Sequence, residues 1–261
     1  MDLISQVAYI LIGVVAGVTS GLFGIGGGMI IVPFGLMLGV SSHHAVAMSV
    51  VQMIFSSIFG SYLNHKKLNL KDGLFVGCGG LIGASFSGII VNFFSDITLT
   101  AIFLGVGIIF FIKYFFGSKK SVVVARQRTN LQKRIILVGS GALVGVFAIS
   151  LGIGGGVQLA AILGYLLGYD SKQVVRISLF YILFASIAGT LSFVREGVID
   201  AQVIQNGALV GIGSLLGVFI GTKIMEKIAI NFHKSAMLCV YAFSIIMTSI
   251  TLLRKIGILS F

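Results

Sequence analysis

Gly24-Ile25-Gly26-Gly27-Gly28 interrupts an otherwise continuous apolar run, and Gly152-Ile153-Gly154-Gly155-Gly156 repeats it residue for residue in the second half of the chain. A glycine in a helix interior costs about 1 kcal/mol relative to alanine, so a helix that reaches such a cluster breaks there. In lipid the N–H and C=O groups freed by a break are tolerated only against protein or a water-filled cavity. Each break is therefore a candidate binding site.

The surrounding residues set the solvent. Of 261 residues, 57% are hydrophobic and 10% charged, and the mean hydropathy is +1.11, values outside the range of soluble domains. The apolar stretches are long and lack the alternation of an outer-membrane barrel, so the spans are expected to be helices. This predicts an all-α, polytopic membrane protein. The first apolar stretch has no basic segment before it and no small-residue cleavage signal after it, and is read as a retained span. The balance of 18 Lys and Arg against 7 Asp and Glu gives +11. In a polytopic protein such an excess marks one side of the membrane and touches anionic lipid, so lipid rather than nucleic acid is the expected partner. Cys78 and Cys239 stand alone, without metal-ligand or redox spacing, and read as small packing residues. No cofactor is implied, and no Ser/His pairing or metal-ligand spacing supports an enzyme.

Working outward from the first cluster, apolar residues run over 7–23 before it and 29–40 after it. The second arm covers only about 18 Å of a hydrocarbon core of roughly 30 Å, which places the break at depth. Pro33 falls early in this arm, where proline costs least. Ser41 or Ser42 is a plausible cap for a helix over 45–64, and His43 and His44 read as solvated residues of the preceding turn. Spans over 74–94 and 98–116 follow, the first with Gly77, Gly79, Gly80, Gly83 and Gly88 on a small-residue face suited to close packing. A basic linker, 117–134, separates this repeat (1–116) from a second (135–261). There the order recurs: 135–151, the second cluster, 157–169, 174–194, 203–222 with Gly207, Gly211, Gly213, Gly217 and Gly221, and 235–253. An offset of 128 aligns the clusters and 129 aligns Ser49 with Ser178 and Gly60 with Gly189. With five segments per half, every Lys and Arg except Arg195, Arg254 and Lys255 falls on one side. An odd number inverts the second half, so two inverted repeats with glycine-broken helices are expected, the plan of many secondary transporters.

A short helix follows each break, and its first N–H groups and positive dipole end point into it. Inversion turns the two helix starts toward each other, which makes an anion site of the backbone at Gly26, Gly27, Gly28, Gly154, Gly155 and Gly156; close helix crossing is the plainer use of the same glycines. Every acid (Asp2, Asp72, Asp96, Asp170, Glu196, Asp200 and Glu226) lies in or beside a loop. Cation and proton carriers rely on intramembrane carboxylates, so a small anionic or neutral substrate is favoured. Arg176 replaces the small Ala47 of the first repeat and serves either to pair with a passing oxyanion or to anchor the topology. Ser49 and Ser178 turn their hydroxyls either to the substrate or to their own backbone. Gln52 and Gln158 read as paired amides within the bundle.

These residues carry a resemblance. Gly21-x-Phe23-Gly24-x-Gly26-Gly27-Gly28 through Val32-Pro33, Gly39, Ala45-Val46-Ala47 and Ser49 resembles the first-repeat signature of the sulfite exporter TauE/SafE family, and Gly145 through Gly156 with Ser178 resembles its second copy. The resemblance spans nearly the whole chain and implies inner (plasma) membrane transport of sulfite, small sulfur oxyanions or organosulfonates, commonly outward and sometimes inward. Two departures lie near the site: Ala160-Ala161 stand where the family usually has a proline, and Arg176 where it usually has a small residue. The expected mechanism is rocking of one half against the other around substrate held between the breaks. A membrane thiol and electron carrier is the rival reading and requires Cys78 and Cys239 to act together.

Overall fold

The computed structural model describes residues 3–116, 129–228 and 230–259. Its first part comprises α1 (Leu3–Phe23), α2 (Gly28–Met37), α3 (Ser42–Asn64), a 3-10 turn (His65–Lys67), α4 (Leu70–Ala84), α5 (Ser87–Phe93) and α6 (Asp96–Phe116). The second comprises α7 (Asn130–Ser150), α8 (Gly156–Leu167), α9 (Ser171–Arg195), α10 (Ala201–Lys227) and α11 (Ile230–Lys255). Among the described residues there are eight helical stretches long and apolar enough to cross a membrane, α4 with α5 counting as one, and α2 and α8 are short apolar helices. The chain is an all-α, multi-pass membrane protein.

Polar clusters mark the two ends of the bundle. At the first end Lys255 Nζ lies 2.6 Å from Asp96 Oδ2 and donates to Ser42 Oγ at 2.8 Å, joining α11, α6 and α3. At the second end Lys133 pairs with Asp72 at 2.9 Å, the Tyr169 hydroxyl donates to the same carboxylate, and Lys67 pairs with Glu226. The α1–α2 hairpin enters from the first end and returns to it; α7–α8 enters from the second and returns to that. Their tips meet in the interior, where residues 24–28 and 151–157 are all buried. The helices α3 and α9 pass beside the tips and are the most enclosed, and α6 and α11 lie at the periphery.

Glycine faces hold the bundle. A β-carbon at Gly13, Gly17 or Gly21 of α1 would overlap the backbone at Val210, Ser214 or Val218 of α10, and one at Gly213, Gly217 or Gly221 would overlap Ile10, Val14 or Val18 of α1. The same seam recurs between α4 and α7: Gly79 and Gly83 meet Val138 and Ala142, and Gly141 and Gly145 meet Val76 and Gly80. Small residues at four-residue spacing let parallel backbones approach until carbonyls touch α-carbons, which is how helices associate without help from the hydrophobic effect.

Several expectations are corrected. The span expected over 74–94 is interrupted at Ser85 and Phe86, because Ser192 Oγ of α9 donates to the Ser85 carbonyl at 2.8 Å and accepts from the Gly88 N–H at 2.9 Å. Helix α7 starts at Asn130 rather than 135, capped by Thr129 in a reciprocal box with Gln132; the rest of the expected linker, 117–128, lies outside the described residues. Cys78 and Cys239 are exposed on the bundle surface rather than packed inside. Pro33 sits mid-helix in α2. His43 lies inside the first turn of α3, with Nε2 at 3.0 Å from the Phe94 carbonyl, rather than in a solvated turn.

Candidate functional site

Helix starts at the bundle ends carry side-chain caps: Ser41, Asn69, Thr129, Asp170 and Asp200 each accept a backbone N–H of the helix that follows. The two short helices that follow the glycine breaks are different. Gly27 precedes α2 with φ 86° and Gly155 precedes α8 with φ 93°, and neither offers a side-chain oxygen. The breaks share one backbone pattern, with left-handed φ at Gly24, Gly26 and Gly27 and again at Gly152, Gly154 and Gly155. These angles strain any residue with a β-carbon. Gly28 and Gly156 have ordinary φ but no space: a β-carbon on Gly28 would overlap the Gly152 carbonyl oxygen, and one on Gly156 the Gly24 carbonyl oxygen. The tips therefore touch reciprocally, each helix start against the opposite break.

Ser49 and Ser178 lie at this contact. Ser49 Oγ donates to the Gly152 carbonyl at 2.8 Å, and Ser178 Oγ sits 3.0 Å from both the Gly24 and Val175 carbonyls. Each serine thus reaches the break of the other half, and Ser178 also bonds its own helix backbone at Val175, one of the two uses expected of it. Among the described residues, no acceptor is found for the backbone N–H of Gly26, Gly27, Gly28, Gly154, Gly155 or Gly156. A buried donor without an acceptor costs about 1–3 kcal/mol.

Two side chains that sequence reasoning did not place at the site stand beside the breaks. Gln52 is fully buried and neither end of its amide has a partner, correcting the expected amide pair; its Oε1 lies 3.1 Å from the position of a β-carbon on Gly27. Tyr181 is fully buried with an unpartnered hydroxyl, and its ring lies 3.3 Å from the corresponding position on Gly155 and packs over Gly80. The 129-residue offset that pairs Ser49 with Ser178 also pairs Gln52 with Tyr181. Gln158, near the start of α8, likewise leaves Oε1 unpaired.

Arg176 is not brought into this group. It lies in the second turn of α9 near the second end, where its charge acts on the Glu226 carboxylate, and its Nε is buried without a partner. A cavity of about 150 Å³ opens at the same end, lined by Lys67, Asn69, Asp72, Lys133, Tyr169, Gln173 and Ile177, the last adjacent to Ser178. Among the described residues no group of His, Cys, Asp and Glu is placed to hold a metal ion.

Comparison with known proteins agrees with this architecture. The family model for the sulfite exporter TauE/SafE matches residues 9–248. The probable membrane transporter protein MJ0441 of Methanocaldococcus jannaschii is 30% identical over 238 residues, covering 84% of this chain and 86% of that protein. The probable membrane transporter protein YdhB of Bacillus subtilis is 26% identical over 231 residues, covering 85% and 92%. No solved structure gives a significant match. With a match over nearly its full length and a transporter architecture to go with it, the chain belongs to the sulfite exporter TauE/SafE family.

Proposed function

We propose that this membrane transporter carries a small sulfur-containing anion, such as sulfite or an organosulfonate, outward across the inner (plasma) membrane by alternating access. The observation that carries the reading is the meeting of two uncapped helix starts in the interior, with N–H groups at Gly26–28 and Gly154–156 that no described residue accepts. Backbone donors and two positive helix ends suit an oxyanion. The family's description supplies the sulfur chemistry.

The repeats, 1–116 and a second that begins with α7 at Asn130 rather than at 135, are inverted. Support comes from the opposite entry of α1 and α7, and from packing exchanged between the halves, α1 on α10 matching α7 on α4. The second end, with most of the Lys and Arg, faces the cytoplasm, and its cavity is the approach on that side. The moving bodies are not the sequence halves. The glycine seams bind α1 to α10 and α7 to α4, so the rocking bodies are built around those pairs and part between α3 and α9, opening the contact of the two tips.

The test is uptake of labelled sulfite, thiosulfate and a small sulfonate into proteoliposomes holding wild type, Gly27→Ala or Gly155→Ala. One anion carried by wild type and lost at least tenfold in both variants, with each variant still monodisperse, is the expected result. Flux indifferent to both alanines removes the site from the glycines. If a variant fails to fold, Ser49→Ala with Ser178→Ala tests the same contact from the neighbouring helices.

A further inference from the structure

Resting on the reading of the paired breaks as the transport site, we propose that Gln52 and Tyr181 are its side-chain ligands, and that they select a monoanion bearing a hydrogen-bond donor of its own. Four observations converge. Both residues are fully buried, and their polar ends have no partner. Each flanks the glycine that precedes the short helix of its own half, Gln52 at Gly27 and Tyr181 at Gly155. Each stands one helical turn beyond the serine that holds the opposite break. They occupy equivalent positions under the 129-residue offset, yet differ in chemistry.

That difference gives the site a direction. Tyr181 has one O–H and, above the Gly155 break, donates to an anion oxygen. Gln52 brings two N–H donors and, in Oε1, an acceptor. An acceptor directed at an anion is repulsive unless the anion carries a proton of its own, as the hydroxyl of a hydrogen oxyanion does. Charge points the same way. Among the described residues, the nearest atoms to the β-carbon positions of the break glycines belong to no Lys or Arg, and Arg176 acts near Glu226 instead. Neutral donors replace the hydration of one negative charge far better than that of two, because the cost of stripping water grows with the square of the charge. The preferred ligand is a compact monoanion with one acidic proton retained, hydrogen sulfite being the simplest; a donorless monoanion and a dianion are discriminated against.

The experiment measures competition against labelled sulfite flux in proteoliposomes, at a single pH below the second ionisation of sulfite. Unlabelled hydrogen sulfite, methanesulfonate (a monoanion without a donor) and sulfate (a dianion) are the competitors. Wild type is expected to favour hydrogen sulfite over methanesulfonate by about tenfold, the effect of one hydrogen bond to a charged group. Gln52→Met, close in volume, brings that ratio to near one. Tyr181→Phe keeps the ring against Gly80 and Gly155 and weakens both competitors by about tenfold, leaving their ratio unchanged. Should Gln52→Met fail to fold, Gln52→Asn withdraws the amide by one methylene and is expected to lower the ratio in the same direction. A wild-type ratio retained in a folded Gln52 variant, wild-type strength of both competitors retained in folded Tyr181→Phe, or sulfate competing as well as hydrogen sulfite, overturns this proposal alone, since the alanines at Gly27 and Gly155 still report on the breaks. No sulfite flux through wild type overturns this proposal, and only the absence of flux of sulfite, thiosulfate and the sulfonate alike overturns the reading of the transport function as well.

Discussion

At the scale of single residues, position and chemistry were legible to different degrees. Gly26, Gly27, Gly28 and their second-half equivalents announced themselves because left-handed backbone and carbonyl contact leave only glycine suitable, and two copies double the signal. Gln52 and Tyr181 were hidden for the opposite reason. The offset pairs them, but an amide and a phenol share no letter, and only burial without a partner reveals their common place. The exposure of Cys78 and Cys239 was illegible because a helix in lipid has apolar residues on every face. Tyr169 offers a test at this scale. Burial, and next its bond to Asp72, push its phenol from 10.0 up to about 12, so the folded state holds the proton more tightly. Its stabilising contribution is full below the unfolded value and is lost as pH rises through about 12. Tyr169→Phe is expected to lower stability at neutral pH by about 1 kcal/mol, and the gap between the two proteins to close at strongly alkaline pH, read as melting temperature against pH.

At the scale of elements, the glycine faces of α4 and α10 followed from spacing, whereas their partners did not. Four-residue spacing identifies a face; which neighbour meets it depends on how α1 and α7 thread the bundle. The gap between α4 and α5 was likewise unreadable locally, for it is produced by Ser192 from another helix. The cap of α3 was legible, since Ser41 is a chemical signal that acts within four residues, whereas the same kind of signal at Thr129 and Asp170 did not set the expected bounds, and α7 starts five residues before the expected position. The seams predict a sharp contrast between glycines. Gly217→Leu drives a side chain into the α1 backbone at Val14 and Val18 and is expected to cost about 3 kcal/mol or more. Gly105→Leu on α6, where nothing lies within 4 Å, is expected to be nearly neutral. Gel filtration after graded heating in detergent separates the two; equal tolerance would show that the seam is loose.

At the scale of the whole molecule, the arrangement follows from where the tight contacts fall. The α1–α10 and α4–α7 seams both cross the middle of the chain, as do the serine bonds Ser49 to Gly152 and Ser178 to Gly24. Separate expression of 1–116 and 117–261 is therefore expected to yield two chains that purify together and restore transport, and that are degraded when made alone. A stable, monodisperse product from either piece by itself would contradict this. The seams also bear on how such a protein could arise. On the proposed inverted relation of the halves, a chain of half this length would leave its glycine faces bare unless an upside-down copy of itself supplied the missing helix, so it would be useful only if the cell inserted it both ways round. Fusing two copies through a charged connector would fix one of each orientation in every molecule and free paired positions such as 52 and 181 to carry different side chains.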